Sequence, residues 1–163
     1  MRPQPIEPGV DQESVWDYPR PPVIDPTDDL VVVASGDHEI ARTTSALRVL
    51  ETSQPPAFYI PREDVNMSLL APGLGRSFCE WKGEASYFDW VADGELRPQV
   101  AWSYDAPTAP FVQITGYLAF YAQKVDCSVA GEPVASNEGS FYGGWITSKV
   151  VGPFKGGPGS NWW

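Results

Sequence analysis

Short apolar segments separated by turn residues run through most of the chain. The β-branched run at 30–34 (LVVVA) is typical of a buried strand. The sequence SGD at 35–37 predicts a turn, and the segment 38–51 then predicts a returning strand, although Ser45 could instead cap a short helix. Further strands are predicted over 57–60, 100–104 and 114–121, a helical turn over 61–65, and a hairpin over 125–134.

The stretch 77–90 (SFCEWKGEASYFDW) concentrates chemically reactive residue types. Read as one strand, its side chains alternate between two faces. One face carries Cys79, Trp81, Gly83, Ala85 and Tyr87, and the other carries Glu80, Lys82, Glu84 and Ser86. On the first face, Cys79 is expected to act as a small buried apolar residue. On the second, Lys82 belongs either to a solvated charge ladder or to the rim of a pocket that meets an anionic ligand.

The two ends of the chain differ in composition from its middle. Residues 1–29 are proline-rich and acidic, and predict an extended arm that Trp16 and Tyr18 hold against the core, rather than a recognition motif for a partner. Residues 136–163 are rich in glycine and aromatic residues and predict an irregular extension that wraps on the domain. Between them, residues 30–135 are predicted to form a single core domain.

Charge and composition limit the partners of this domain. The net charge is −10 and the isoelectric point is near 4.4, which argues against binding to nucleic acid or to an anionic membrane surface. No apolar run is long enough to span a membrane, and the first residues (MRPQPIEPGVDQ) lack the apolar core of a signal peptide. We therefore expect a cytoplasmic protein in which Cys79 and Cys127 are reduced thiols. Its oligomeric state is left open.

The residue inventory argues against metal and cofactor chemistry. A structural zinc site needs about four ligands, whereas the chain has two isolated cysteines and one histidine, His38. Its acidic pairs, 28–29 and 63–64, are adjacent residues, which point to opposite faces of a strand and so do not hold magnesium together. A nucleophilic Cys79 would need His38 as its base. No cofactor is predicted.

Aromatic residues make up 13% of the chain and come from several predicted strands. Most must fill the core, but Trp faces and Tyr hydroxyls that converge can also line a pocket. The predicted pocket walls are Tyr59, Trp81, Tyr87, Trp102 and Tyr104. Its polar groups are Lys82 and Glu51, and Glu51 is either an acid/base group or an edge carboxylate paired with Arg48 or Arg20.

The series VLET…FYIPREDV…CEWKGEASY…AWSY…ITGYLAFY resembles the bacterial domain of unknown function 427 family over roughly residues 30–130. Its most specific pieces are CEWKG at 79–83 and AWSY at 101–104. The resemblance implies a compact, mostly antiparallel β-tent (Mss4-like) fold, here without zinc and with at most short helical turns. Some β-tent relatives bind ligands in an aromatic cage. Because Lys82 lies in the family motif, the resemblance also favours its pocket-rim interpretation.

These observations predict an all-β protein with an aromatic-lined site for a small molecule, used for binding or for metal-free acid/base catalysis. Whether the protein is an enzyme is left open. The alternatives are a non-enzymatic module that recognises a peptide or a modified side chain, and a structural or interaction protein with no pocket. The resemblance also brings a nucleotidyltransferase label, which the acidic residues do not support.

Overall fold

The computed structural model describes residues 2–137 and 143–163, so residues 138–142 of the predicted C-terminal extension lie outside the described part. The strands of the described residues are β1 (Glu13–Ser14), β2 (Val23–Pro26), β3 (Val31–Ser35), β4 (His38–Thr43), β5 (Leu47–Leu50), β6 (Ala57–Tyr59), β7 (Leu70–Cys79), β8 (Gly83–Trp90), β9 (Arg97–Ser103), β10 (Leu118–Phe120), β11 (Asp126–Val129), β12 (Glu132–Pro133), β13 (Ala135–Ser136), β14 (Trp145–Ile146) and β15 (Val150–Val151). Short 3-10 turns cover Val15–Asp17, Arg62–Asp64, Met67–Leu69 and Ala109–Ile114.

These strands form several small sheets, which confirms the predicted all-β class. One four-stranded sheet, here the large sheet, has the order β10-β9-β8-β7, and a second has the order β12-β11-β3-β4. A three-stranded sheet has the order β2-β5-β6. Pairing within these three sheets is antiparallel. The β-tent assignment remains a prediction. No helix in the described part of the chain is long and apolar enough to cross a membrane.

Long-range strand pairing decides the segments that the sequence left ambiguous. Residues 47–50 form β5, which pairs with β2 on one side and β6 on the other, so the helix that Ser45 could cap does not form. The predicted hairpin over 125–134 is confirmed by the pairing of β11 with β12. The helical turn predicted over 61–65 is also confirmed, as the 3-10 turn that follows Pro61.

The stretch 77–90 is a hairpin, and its interpretation as one strand was wrong. β7 ends at Cys79 and β8 begins at Gly83, and these two residues pair across a tight turn. Gly83 has φ +101°, a conformation that favours glycine and ends the alternation of faces. Consequently Lys82 does not share the exposed side of Glu80 and Glu84 but is half-buried.

The predicted strand over 114–121 is shorter than expected. A 3-10 turn runs to Ile114, Gly116 has φ +74°, and the strand covers only Leu118–Phe120. All three of its residues are buried, as expected for a strand covered on both faces. A backbone bridge between Ile60 and Leu118 joins the three-stranded sheet to the large sheet at this strand.

Both chain ends pack on this framework. Trp16 and Tyr18 are buried, and β1 pairs in parallel with β15. Trp145 is 1% exposed, stacks on Phe58 with ring centres 5.0 Å apart, and donates from Nε1 to the Phe120 carbonyl at 2.8 Å. The C-terminal segment therefore contributes a large side chain to the central core.

Candidate functional site

A cavity of about 450 Å³ lies where the three-stranded sheet meets the large sheet. Its walls include side chains from β5, β6, β7, β8 and β9, together with C-terminal residues that follow residue 142. The structure brings all seven predicted site residues to this cavity: Glu51, Tyr59, Trp81, Lys82, Tyr87, Trp102 and Tyr104. Glu51 and Tyr104, the outermost two in the sequence, are 53 positions apart, so only the fold makes them neighbours.

The turn of the β7–β8 hairpin places Trp81 and Lys82 at the cavity. The Thr108 hydroxyl donates to the Trp81 carbonyl at 2.6 Å, and the Thr108 amide donates to the Lys82 carbonyl at 3.0 Å. Both residues of the turn are thus fixed by the loop before the last 3-10 turn. With its backbone held in this way, the Lys82 side chain extends inward over aromatic rings.

The Lys82 ammonium lies among aromatic and acidic groups. Its Nζ atom is 5.8 Å from the centre of the Tyr104 ring and 5.9 Å from that of Phe111. Burial alone lowers the pKa of Lys82, but the nearby Tyr59, Cys79 and Glu51 side chains oppose this and raise its pKa above the ordinary value. Lys82 is therefore a cation at neutral pH.

Tyr59 forms the floor of the cavity and is 1% exposed. Its hydroxyl accepts a hydrogen bond from Trp102 Nε1 at 3.1 Å, and the two rings meet edge to face at 86°. Burial raises the pKa of Tyr59 and of Tyr104, so both carry neutral hydroxyls. The Tyr59 oxygen already accepts one hydrogen bond, and its own proton can be donated to another group.

Trp102 also lies between Tyr87 and Tyr121, and these three residues form the aromatic wall that the large sheet gives to the cavity. Trp102 pairs across strands with Tyr87, whose hydroxyl donates to the Ser77 oxygen at 2.7 Å. On its other side, the ring of Trp102 lies 4.6 Å from that of Tyr121, with the ring planes 46° apart. Trp102 itself is buried, so the half-buried ring of Tyr87 is the part of this wall that is more open to an organic group.

Glu51 lies at the rim, directly after β5. Its carboxylate is 3.7 Å from Arg20 Nε, and Arg20 also donates to the Thr52 carbonyl at 3.0 Å. Arg48, the other expected partner, instead contacts Glu13 and Asp25. Glu51 is thus an edge carboxylate, as one of the two predictions had it, and its partner is Arg20. It also lines the cavity, where a ligand could contact it.

The two cysteines lie in different environments, and the prediction that Cys79 is a buried apolar residue is corrected. Cys79 is only half-buried and lines the cavity, because the strand ends at this residue instead of continuing through the core. His38 does not pair with it: its Nε2 atom lies 2.9 Å from Asp93, and its ring contacts Trp90. Cys127 is buried, and burial, followed by the charge of Asp126, raises its pKa.

Several cavity residues escaped the sequence analysis, namely Gln54, Pro55, Tyr121, Gly143, Gly144 and Lys155. A Cβ atom at Gly143 would overlap the six-membered ring of Trp102, so only glycine fits against that ring. The paired glycines before Trp145 were a visible signal of such a close approach. Nothing in the local pattern, however, indicated which aromatic ring they would meet.

The described ranges 2–137 and 143–163 contain no group of three or more His, Cys, Asp or Glu side chains placed to hold a metal ion. The carboxylates that line the cavity are Glu51 and Glu80. The described part of the site therefore offers two cations, Lys82 and Lys155, together with aromatic faces, hydroxyl groups and two carboxylates as its means of recognition.

The family model described as domain of unknown function (DUF427) matches residues 23–131, which is more than half of the chain. The chain belongs to this family. The DUF427 match confirms the resemblance over residues 30–130 and contains all seven predicted site residues, whereas Gly143, Gly144 and Lys155 lie beyond it. A search of curated proteins finds no match to the chain.

Proposed function

We propose that the protein binds a small organic molecule in the cavity between the three-stranded sheet and the large sheet. The observation that carries the proposal is the convergence of seven side chains, chosen for their chemistry, on one cavity of about 450 Å³. Small-molecule sites typically have volumes of about 300–1,000 Å³, apolar walls and a few fixed polar groups. Aromatic walls with Lys82, Tyr59 and Glu51 as polar groups match that description.

Cys79 provides a direct test of occupancy, because it lines the cavity and is accessible, whereas Cys127 is buried. Metabolites and nucleotides are first screened by thermal shift, since a ligand that binds only the folded state raises the melting temperature. Compounds that bind are then tested for protection of Cys79 against iodoacetamide, followed by mass spectrometry. Protection is expected if they occupy the cavity.

Blocking the cavity gives a second, independent test. Ala57 is a small cavity residue on β6, and Ala57→Phe places a ring in the space that a ligand would use. Ala135→Phe, on the exposed strand β13, is the matched control. Binding should be lost in the first variant and kept in the second. If Ala57→Phe binds every screened compound normally and Cys79 is never protected, the cavity is not the site.

A second candidate function is acid/base catalysis on the bound molecule, with Glu51 as the proton-transfer group. It is favoured by one observation: the Glu51 carboxylate acts electrostatically on Lys82, so an acid and a base face the same space. Conversion of bound compounds would be followed by NMR. Glu51→Gln should abolish turnover while leaving affinity intact, and wild-type turnover in that variant would remove Glu51 from the mechanism.

The matched family model also bears a nucleotidyltransferase label. Such transfer usually uses carboxylates that hold magnesium against phosphates. Of the two cavity carboxylates, Glu51 is held by Arg20 and Glu80 is exposed on the hairpin turn. The arrangement offers no carboxylate pair for this role, and we do not propose that activity.

A further inference from the structure

The cavity contains a positive charge without a counter-charge in contact. Among residues 2–137 and 143–163, no carboxylate lies at ion-pair distance from the Lys82 ammonium. Glu51 is the nearby carboxylate that influences Lys82, and it forms its ion pair with Arg20. The aromatic rings of Tyr104 and Phe111 stabilise the ammonium but do not neutralise it.

The same geometry disfavours a cationic ligand. Aromatic cages that recognise methylated ammonium groups offer vacant ring faces to the incoming cation. Here the Lys82 ammonium already lies over the ring of Tyr104, a cavity residue, and near that of Phe111 in the same cluster, and a further cation beside it would be repelled. The contact between Trp102 and Tyr121, at 4.6 Å, leaves no room for a cation between those two rings.

A hydrogen-bond donor lies next to this charge. Tyr59 lines the cavity beside Lys82, and its oxygen accepts from Trp102 Nε1 and also bonds with Tyr104, which leaves its own O–H as the group that can donate to a ligand. A charged donor and a neutral donor side by side are a suitable receptor for a carboxylate or a phosphate oxygen, because hydrogen bonds to ionised groups are the stronger ones.

Building on the proposed function, we propose that the ligand of this cavity is a planar organic anion, whose charged group contacts Lys82 and the Tyr59 hydroxyl while its flat body lies against Trp102 and Tyr87. Carboxylates and phosphate monoesters share this chemistry. Lys82 is a binding residue in this proposal, and the aromatic wall selects for shape.

The test uses four probes with one ring system: naphthoate, naphthamide, naphthylmethylamine and naphthyl phosphate. Their dissociation constants for the full chain are measured by calorimetry at pH 7, together with protection of Cys79. Naphthoate or naphthyl phosphate should bind at least about tenfold tighter than naphthamide, which is the effect of one hydrogen bond to a charged group. The comparison of these two anions distinguishes carboxylate from phosphate recognition.

Lys82→Met should remove the preference for the anion and leave naphthamide binding within about threefold, because only the charge is lost. Lys82→Arg should retain the preference. Lys124→Met is the matched control: Lys124 is exposed and its ammonium lies 5.8 Å from the Tyr121 ring, but it is not part of the cavity lining. It should behave as wild type, and the thermal unfolding of each variant shows that it is folded.

The outcomes separate this inference from the proposed function. If naphthamide or naphthylmethylamine protects Cys79 as well as the anions do, the cavity binds organic molecules but the inference is overturned. An anion preference that persists in Lys82→Met overturns it as well. If none of the four probes binds while a neutral compound from the thermal-shift screen protects Cys79, the inference is overturned and the proposed function stands.

Discussion

The indole nitrogen of Trp102 donates a hydrogen bond to the Tyr59 hydroxyl at 3.1 Å, and both residues are buried. Tyr59 belongs to β6 of the three-stranded sheet, and Trp102 belongs to β9 of the large sheet. This single bond therefore spans the junction at which the cavity lies. It fixes the orientation of two of the aromatic walls at once.

Tyr59→Phe should destabilise the protein by about 1–3 kcal/mol, because Trp102 Nε1 would remain buried without an acceptor. Urea unfolding would measure the loss. Tyr117→Phe is a suitable control, since Tyr117 packs in the same aromatic cluster and its hydroxyl makes no hydrogen bond within the described residues. Equal losses in the two variants would show that the Trp102 bond contributes nothing specific.

Gly143→Ala should cost about 1–3 kcal/mol, the usual range for an added methyl group in a packed site, because its Cβ would overlap the Trp102 ring. A double-mutant cycle with Trp102→Phe isolates the cause, since the smaller ring removes the contacted atoms. The cost of Gly143→Ala should then shrink markedly. An unchanged cost in the Trp102→Phe background would place the strain elsewhere.

Glu13 should make the protein less stable in acid. Its hydrogen bond with Arg48, opposed by burial, and a further one from Tyr18 lower the pKa of Glu13 from its ordinary value of 4.5. Because the pKa of Glu13 is lower in the folded state, its ionised carboxylate contributes fully to the free energy of unfolding when the pH is above its pKa in the unfolded chain. This contribution is lost as the pH falls through its pKa in the folded protein. The side chain is 45% exposed, so the contribution is small.

Glu13→Gln should accordingly lose about 0.2–1 kcal/mol at pH 7, the range measured for exposed ion pairs. The difference from wild type should shrink as the pH is lowered below 4.5, the ordinary pKa of this carboxyl group. Urea unfolding at pH 7 and at a series of lower pH values tests this. Glu39→Gln removes an equal charge from the exposed Glu39–Arg42 pair and serves as the control. A Glu13→Gln difference that does not shrink as the pH is lowered would contradict an ionic cause.

The two thiols should differ in reactivity. Cys79 is half-buried at the cavity, whereas Cys127 is 6% exposed and burial raises its pKa. We expect one fast thiol in the folded protein with Ellman's reagent and a second only after unfolding. Cys79→Ser should remove the fast one. Equal rates in the folded protein would be inconsistent with this assignment.

The sequence predicted strands and turns most accurately where the local pattern of apolar residues matches the residues that are buried in the fold. The run at 30–34 predicted β3 because its alternate valines fill the core, and the turn at 130–131 predicted the β11–β12 hairpin. The aromatic and polar site residues were selected for their chemistry, and the cavity gathers them. Their mutual distances depend on sheet pairing, which no local pattern encodes.

The errors have physical causes. The hairpin turn at 80–82 was missed because the alternation of polar and apolar residue types continues through Gly83, and only its positive φ reveals the reversal. Because of that error, Cys79 was assigned to the core. For the same reason, one of the two predictions for Lys82 placed it on a solvated face. Tyr121 was assigned to a strand that ends one residue earlier, so its place in the wall was not foreseen.

The cavity is built by two parts of the chain, one inside the family match and one outside it. The family match ends at residue 131, yet Gly143, Gly144 and Lys155 also line the cavity. The shape of the cavity therefore depends on residues outside the matched segment, and a comparison limited to residues 23–131 would not detect a change in that part of its wall.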